Sequence, residues 1–365
     1  MLKSAFLPLW TWLVPAASWA LLGGMWLGAS GMAYTGLLTV SMLACVLTAV
    51  HHAEVIAHRL GEPYGTLLLA IAVTTIEVAL IVSLMLSGGP ATTALARDTV
   101  FAAVMIILNG IIGLCLLAGS SRHGEQSFGL KGVSASLATL AAIAVLTLVL
   151  PNFTTTVPGP FYSMSQLAFI AVVSVVLYGT FVLVQTVRHR DYFLPPPGKV
   201  NVNNNDEDHA APPSPGVALA SLALLLACLG GVVLLAKSLA PVIETAVTSA
   251  GAPKALVGVI IAAVVLLPEG LAAFRAARAN RLQTSLNLAL GSALASIGLT
   301  IPVVALVSIT TGWTLTLGLD AKSSVLLMLS LLVTTLSLGT GRTTVLQGVV
   351  HLVIFAAYLF TTVIP

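Results

Sequence analysis

The chain has 365 residues, of which 58% are hydrophobic and only 7% are charged, and its formal net charge is +3. A soluble domain has about 25% charged residues, so this composition excludes a soluble globular enzyme, a disordered chain and a coiled coil. A mean hydropathy of +1.05 and apolar runs of helical length predict an all-α integral membrane protein rather than a β-barrel.

A helix needs about 20 residues to cross a hydrocarbon core of ~30 Å, and about eleven stretches of the sequence satisfy this requirement. We interpret the first of them as a retained span rather than a signal peptide, because it contains Pro8, Pro15 and several tryptophans. Residues 216–250 are counted as one span that is broken between residues 236 and 240. The predicted spans lie near 8–28, 35–58, 65–87, 99–119, 131–150, 163–187, 216–250, 254–274, 283–310, 320–338 and 343–364.

The distribution of lysine and arginine predicts the orientation of these spans. If the N-terminus is cytoplasmic and the spans alternate, most of the basic residues fall on the cytoplasmic side, as the positive-inside rule requires. The C-terminal Pro365 is then outside. We therefore predict a multi-pass protein of the inner (cell) membrane, in contact with the lipid bilayer.

The segment 188–215 differs from the rest of the chain, because proline, asparagine and charged residues dominate it. Such a segment cannot bury enough apolar surface to fold alone, so we predict a cytoplasmic linker. Its acidic run, 206–209, is interpreted as a solvated loop. The predicted organisation is an N-terminal helix (1–30), a first five-helix repeat (31–187), the linker (188–215) and a second five-helix repeat (216–365).

Matching spacings in the two halves predict the repeat. Glutamate, glycine and proline recur at the same intervals, a later glutamate follows within an apolar run, and an Asn-x-x-x-Gly pattern comes third. Because each repeat has five helices, an odd number, the halves enter the membrane from opposite sides and a site is expected near the midplane. The matched sets are Glu54, Gly61, Pro63, Glu77, Asn109 and Gly113 in the first half, and Glu244, Gly251, Pro253, Glu269, Asn287 and Gly291 in the second.

The later glutamates, Glu77 and Glu269, are the residues that point to a function. A charged side chain at the bilayer centre costs about 2.5–3.5 kcal/mol even on a lenient scale, so such a carboxyl group holds a proton until a cation replaces it. Protons and cations that compete for the same oxygens can be exchanged across a membrane. The structural alternative is that the two glutamates are protonated hydrogen bonders that hold helices together.

Other polar residues are candidates for supporting roles. Hydroxyl and amide oxygens near the glutamates are the hard ligands that Ca²⁺ prefers, and Na⁺ or K⁺ could use the same set. We predict His351 to be a packing residue. The candidate cation ligands are Thr74, Asn109, Asn287 and Ser292, with Glu77 and Glu269 as the metal-binding carboxylates; the candidate gate or relay residues are Glu54, Glu244 and His51.

Three segments carry a resemblance to a known family: GEPYGTLLLAIAVTTIEVALI (61–81), GVIIAAVVLLPEGLAAF (258–274) and NLALGSALASIGLTIP (287–302). With these segments the chain resembles the cation/proton exchanger family of the calcium/cation antiporter superfamily, in its bacterial calcium or sodium/potassium–proton branch. The resemblance implies one extra helix, two inverted five-helix repeats, and a cation- and proton-binding role for Glu77 and Glu269. Many relatives have Gly-Asn-Ala where this chain has Thr74-Thr75-Ile76. With fewer side-chain amides near the ion, the transported cation could be monovalent as well as Ca²⁺.

The sequence therefore predicts a secondary antiporter that exports Ca²⁺, or Na⁺/K⁺, in exchange for protons, and not an enzyme. A passive cation channel is the alternative. No Gly-x-x-x-x-Gly-Lys-Ser/Thr loop for ATP occurs, so the proton gradient would supply the energy. We expect no cofactor, no nucleic-acid partner and only inorganic cations and protons as ligands, and a homo-oligomer is left open.

Overall fold

The computed structural model describes residues 7–60, 64–194, 213–253 and 255–364. Within these ranges the chain forms eleven long helices, which confirms the all-α class. The helices are α1 (Trp10–Trp26), α2 (Met32–Leu60), α3 (Tyr64–Gly88), α4 (Leu95–His123), α5 (Leu130–Phe153), α6 (Met164–Arg188), α7 (Pro215–Ser249), α8 (Ala255–Arg278), α9 (Leu282–Thr311), α10 (Ala321–Leu338) and α11 (Val345–Val363).

Three helices contain a wider, π-helical turn that the sequence does not predict. In α4 this turn is Ile106–Ile111, in α5 it is Val145–Val149, and in α6 it is Val184–Arg188. A π turn is rare and occurs frequently at functional sites, because it redirects side chains within an otherwise regular helix. Most of the turn in α4 is inside the protein, and its residues Ile107, Leu108 and Asn109 have no exposed surface.

The predicted break within residues 216–250 is wrong, because α7 is one helix from Pro215 to Ser249. Lys237 and Pro241 weaken the apolar and helical signal in the middle of this stretch. A proline, however, removes only one helical hydrogen bond, and a long membrane helix can continue through it. The predicted boundary between the spans 216–250 and 254–274 is present, because α7 ends at Ser249 and α8 begins at Ala255.

A two-stranded antiparallel pair is the one regular β-structure among the described residues. Strand β1 (Gln126–Ser127) follows α4 and pairs with β2 (Arg342–Thr343), which precedes α11. Beside it, the side chain of Arg342 lies 3.5 Å from the carboxylate of Glu125, and both are largely exposed. The pair joins the end of α4 to the start of α11, so two helices that are distant in sequence are held together.

The helices group into two compact units that do not coincide with the two sequence repeats. The first unit comprises residues 1–84 and 200–246. Its core is built largely from small side chains on α2, α3 and α7, which let helix backbones approach closely in a membrane. The buried core residues of this unit are Cys45, Val46, Ala49, Ala53, Ala72, Ile76, Leu225, Cys228 and Val232.

The second unit comprises residues 85–199 and 247–365, and α4 is its central helix. In this unit, glycines allow neighbouring helices to approach α4 closely. A Cβ atom at Gly348 of α11 would lie 2.5 Å from the backbone nitrogen of Leu117 in α4, so only glycine fits. A Cβ atom at Gly258 of α8 would lie 3.4 Å from the backbone of Asp98 and Thr99. Both α8 and α11 therefore pack directly on α4.

Candidate functional site

Glu269 lies in the middle of α8, fourteen residues after the helix begins at Ala255. Its side chain is buried, with 8% of the residue exposed, although its neighbours are apolar in sequence. Pro268 precedes it and supplies no N–H, so the carbonyl of Val264 loses its helical hydrogen bond one turn earlier. A carboxylate and a released carbonyl oxygen thus occur within about one and a half turns of the same helix.

Ser292 of α9 donates a hydrogen bond from its hydroxyl group to the carboxylate of Glu269. The structure therefore brings together two of the predicted site residues, which we call the carboxylate pair. A hydrogen bond to a charged acceptor contributes roughly 1.5–3 kcal/mol. Ser296 is also buried and lies one turn further along α9, so it shares a helix face with Ser292.

Glu77 of α3 belongs to the first unit and is placed like Glu269 within its own helix. It lies thirteen residues after Tyr64, the first residue of α3, and only 2% of it is exposed. Thr74 is equally buried and precedes Glu77 by three residues, which places both on one face of α3. The two glutamates of the predicted repeat therefore have nearly the same position along their helices.

Asn109 lies in the π turn of α4 and is completely buried. Its Nδ2 donates to Ser330 Oγ of α10 at 2.8 Å, and its Oδ1 lies 3.3 Å from His351 Nδ1 of α11. We call Asn109, Ser330 and His351 the amide cluster. The interpretation of His351 as a packing residue is therefore incomplete, because its ring is bound to Asn109.

The side-chain hydrogen bonds of Asn287 in α9 go to residues other than Glu269. Its Nδ2 donates to the backbone oxygen of Phe193 at 2.6 Å, and its Oδ1 accepts from Gln283 at 3.0 Å. Asn287 thus holds the segment that follows α6 against the start of α9.

Asn109 and Asn287, the third match of the predicted repeat, have different positions along their helices. Asn109 lies fourteen residues after the start of α4, whereas Asn287 lies five after the start of α9. Ser296 is the residue that lies fourteen after Leu282, the first residue of α9. The repeat itself stays a prediction.

The three predicted gate or relay residues are less buried than the two glutamates. Glu54 and Glu244 are exposed, six residues before the end of α2 and five before the end of α7. His51 is half-buried, and the centroid of its ring lies 5.0 Å from that of Trp10 in α1. Their role as gate or relay residues stays a prediction.

A cation bound at Glu269 would need further oxygen ligands besides the carboxylate. In the part of the chain that the structure describes, no group of three or more His, Cys, Asp and Glu residues could hold a metal ion. A cation at Glu269 would therefore complete its coordination with hydroxyl and carbonyl oxygens, as hard cations readily do. Ser292 supplies the nearest such hydroxyl group.

Nine helices among the described residues are long and apolar enough to cross a membrane. Helices of this kind with a glutamate buried at mid-helix define a multi-pass membrane protein that handles charged species. The sequence profile of the sodium/calcium exchanger protein family matches residues 30–187 and 220–364. The chain belongs to this family of ion exchangers.

Two related proteins match almost the whole chain. The protein y4hA of Sinorhizobium fredii, named as a candidate ionic transporter, is 51% identical over 380 residues, which cover 100% of this chain and 98% of y4hA. The sodium-potassium/proton antiporter ChaA of Escherichia coli is 38% identical over 322 residues, which cover 88% of this chain and 86% of ChaA. Both names describe transporters rather than enzymes.

Two solved structures share the fold at low sequence identity. The H⁺/Ca²⁺ exchanger CAX superimposes with a TM-score of 0.73 and 15% identity, over 96% of this chain and 87% of that one. The structure of native YfkE gives a TM-score of 0.71 and 18% identity, over 97% of this chain and 100% of that one. At such low sequence identity, the structural similarity establishes the fold but does not identify the transported ion.

Proposed function

We propose that the chain is a secondary antiporter that exports a cation in exchange for protons, and that both compete for Glu77 and Glu269. The observation that carries the proposal is the carboxylate pair: Glu269 is buried at mid-helix and accepts a hydrogen bond from Ser292. A structural glutamate needs only a hydrogen-bond partner. A glutamate that exchanges ions also needs a partner that stabilises its ionised form, and the donating hydroxyl group of Ser292 does this.

Competition follows from the cost of a bare charge in this environment. A carboxylate at the bilayer centre is unfavourable by about 2.5–3.5 kcal/mol or more, so the group is neutralised by a proton or by a cation. Metal binding requires the deprotonated ligand and so releases the proton. One carboxylate therefore cannot hold both ligands, and the gradient of one species can drive the movement of the other.

Glu77 supports the same role in the first unit. It has nearly the same position in α3 as Glu269 has in α8, and Thr74 is buried on the same helix face. A duplicated carboxylate at matched depth is expected in a transporter with inverted repeats, where each half contributes equivalent groups. We propose that both glutamates take part in proton and cation binding.

We propose Ca²⁺ and the monovalent cations Na⁺ and K⁺ as the cations to test. The name of ChaA, at 38% identity, favours Na⁺ and K⁺. Ca²⁺ prefers six to eight oxygen ligands, and the carboxylate pair supplies few of them. We place the protein in the inner membrane with a cytoplasmic N-terminus, which follows from the distribution of Lys and Arg.

The experiment uses everted membrane vesicles with an imposed pH gradient and a fluorescent ΔpH reporter. Adding Ca²⁺, Na⁺ or K⁺ in turn should dissipate the gradient with the transported cation. Glu77→Gln and Glu269→Gln should each abolish the response, because an amide cannot exchange a proton for a cation.

The matched control is Glu125→Gln, which alters a largely exposed carboxylate beside Arg342 and should transport normally. Normal exchange by Glu77→Gln or Glu269→Gln at wild-type protein levels would contradict the proposal. Cation flux that proceeds without a pH gradient and collapses the membrane voltage would instead indicate a channel.

A further inference from the structure

We propose that His351 is a positioning residue for Glu269, acting through Asn109 and the π turn of α4. This inference rests on the proposed function, because it concerns how strongly Glu269 binds the exchanged cation. It assigns a role to a buried histidine on α11, a helix that carries neither glutamate.

The directions of the hydrogen bonds in the amide cluster fix which atom donates. Ser330 has one hydroxyl hydrogen, and its acceptors are the backbone oxygen of Leu326 at 2.7 Å and Met105 Sδ at 3.4 Å. Ser330 Oγ therefore accepts from Asn109 Nδ2, and the remaining amide atom, Oδ1, faces His351. Because an amide oxygen only accepts, His351 Nδ1 must carry the hydrogen and donate it to Asn109.

This assignment also fixes the state of the histidine ring. With hydrogen on Nδ1, the other ring nitrogen, Nε2, carries a lone pair, and it has no hydrogen-bond partner among the described residues. His351 is completely buried. Protonation of Nε2 would place an uncompensated charge in an apolar interior, which is strongly unfavourable. The ring is thus a neutral donor that orients Asn109.

The π turn connects Asn109 to the glutamate helix. Asn109 and Ile111 both belong to this turn. Gly270, which follows Glu269 in α8, packs on it so closely that a Cβ atom there would lie 3.1 Å from Ile111 Cδ1. The side chain of Ile111 therefore packs against the segment that contains Glu269. A change in the amide cluster should move Ile111 and alter cation binding at Glu269.

The test compares His351→Leu with His351→Asn in the everted-vesicle assay, using the cation to which the wild type responds. Leucine is close in size to histidine but lacks the donor, whereas the amide nitrogen of asparagine can take the place of Nδ1. Losing this hydrogen bond should raise the cation concentration for half-maximal exchange about threefold to tenfold in His351→Leu. His351→Asn should stay within about twofold of the wild type.

A purely structural role for His351 would lower the melting temperature or the maximal rate in proportion to folded protein, with an unchanged half-maximal concentration. That result would overturn the inference, as would equal impairment of His351→Leu and His351→Asn. The double variant supplies a second readout. Adding His351→Leu to Asn109→Ala should not raise the half-maximal cation concentration further, because His351 acts through Asn109. Additive increases in this concentration would contradict the proposal. If Glu269→Gln abolishes exchange while His351→Leu leaves the half-maximal concentration unchanged, only this inference fails.

Discussion

The carboxylate pair and the amide cluster are both buried in the second unit, yet they differ in charge and in how their hydrogen bonds are used. In the carboxylate pair, one acidic side chain accepts from a hydroxyl group of the neighbouring helix. In the amide cluster, neutral groups from three helices bind one another. A buried charge requires a counter-ion or a proton, whereas a neutral cluster is satisfied by hydrogen bonds alone. Burial of a polar residue alone does not identify a transport site.

The comparison extends to the two helices that carry these groups. Asn109 in α4 and Ser296 in α9 stand at the same distance from the start of their helices, but their surroundings differ. The α4 position lies in a π turn and contacts α10 and α11. The α9 position lies one turn beyond the serine that binds Glu269. The same distance from a helix start therefore goes with a π turn in α4 and with a regular α-helix in α9.

The largest effect is expected from Gly348→Leu, which attacks the packing that holds the amide cluster together. Any Cβ atom there would meet the α4 backbone at Leu117, so α11 would be pushed away and His351 separated from Asn109. We expect overpacking to cost about 3 kcal/mol or more of stability, seen as a lower melting temperature and reduced yield.

Gly291→Ala is the matched control for that substitution, because nothing lies within 4 Å of a Cβ atom at Gly291. It should leave the melting temperature within about 2 °C of the wild type. Wild-type stability of Gly348→Leu would contradict the close packing of α11 on α4.

A smaller effect, limited to binding, is expected from Ser292→Ala in the carboxylate pair. Removing a hydrogen bond to a carboxylate should weaken cation binding about tenfold, with little change in stability. The measurement is the cation concentration for half-maximal exchange in everted vesicles. Ser292→Thr retains the hydroxyl group and should recover most of the affinity. An unchanged affinity in Ser292→Ala would remove Ser292 from the site.

The smallest effect on transport is expected from Asn287→Ala. The sequence predicts Asn287 to be a cation ligand, but its hydrogen bonds go to Phe193 and Gln283. We expect a stability loss of roughly 1 kcal/mol from the missing hydrogen bonds and an unchanged half-maximal cation concentration. Thermal unfolding and vesicle assays on the same preparation check both. A loss of cation affinity as large as that expected for Ser292→Ala would instead support the prediction that Asn287 is a cation ligand.

The sequence predicts the helices and the two glutamates well, because both depend on one-dimensional signals. An apolar run of about 20 residues marks a span. An acidic residue inside such a run stands out, as Glu77 and Glu269 do. The sequence also indicates Ser292 as a site residue, because a small polar residue on the next helix can bind a buried carboxylate.

Other features depend on information that spacing does not contain. The π turn of α4 and the continuity of α7 through Pro241 are set by packing around the helices. The partnership of Asn109 with His351 joins residues 242 positions apart. The match of Asn109 with Asn287 rests on a shared Asn-x-x-x-Gly pattern, which carries no information on how far each residue lies from the start of its helix. Ser296, and not Asn287, lies as far from the start of α9 as Asn109 lies from the start of α4.

Competition between protons and the cation is the central claim, and the pH dependence of cation affinity tests it most directly. The half-maximal cation concentration of the wild type would be measured in everted vesicles at several fixed pH values. If one proton and one cation compete for a carboxylate, this concentration should rise up to about tenfold for each unit by which pH falls. A half-maximal concentration that is independent of pH, with only the maximal rate changing, would contradict the account.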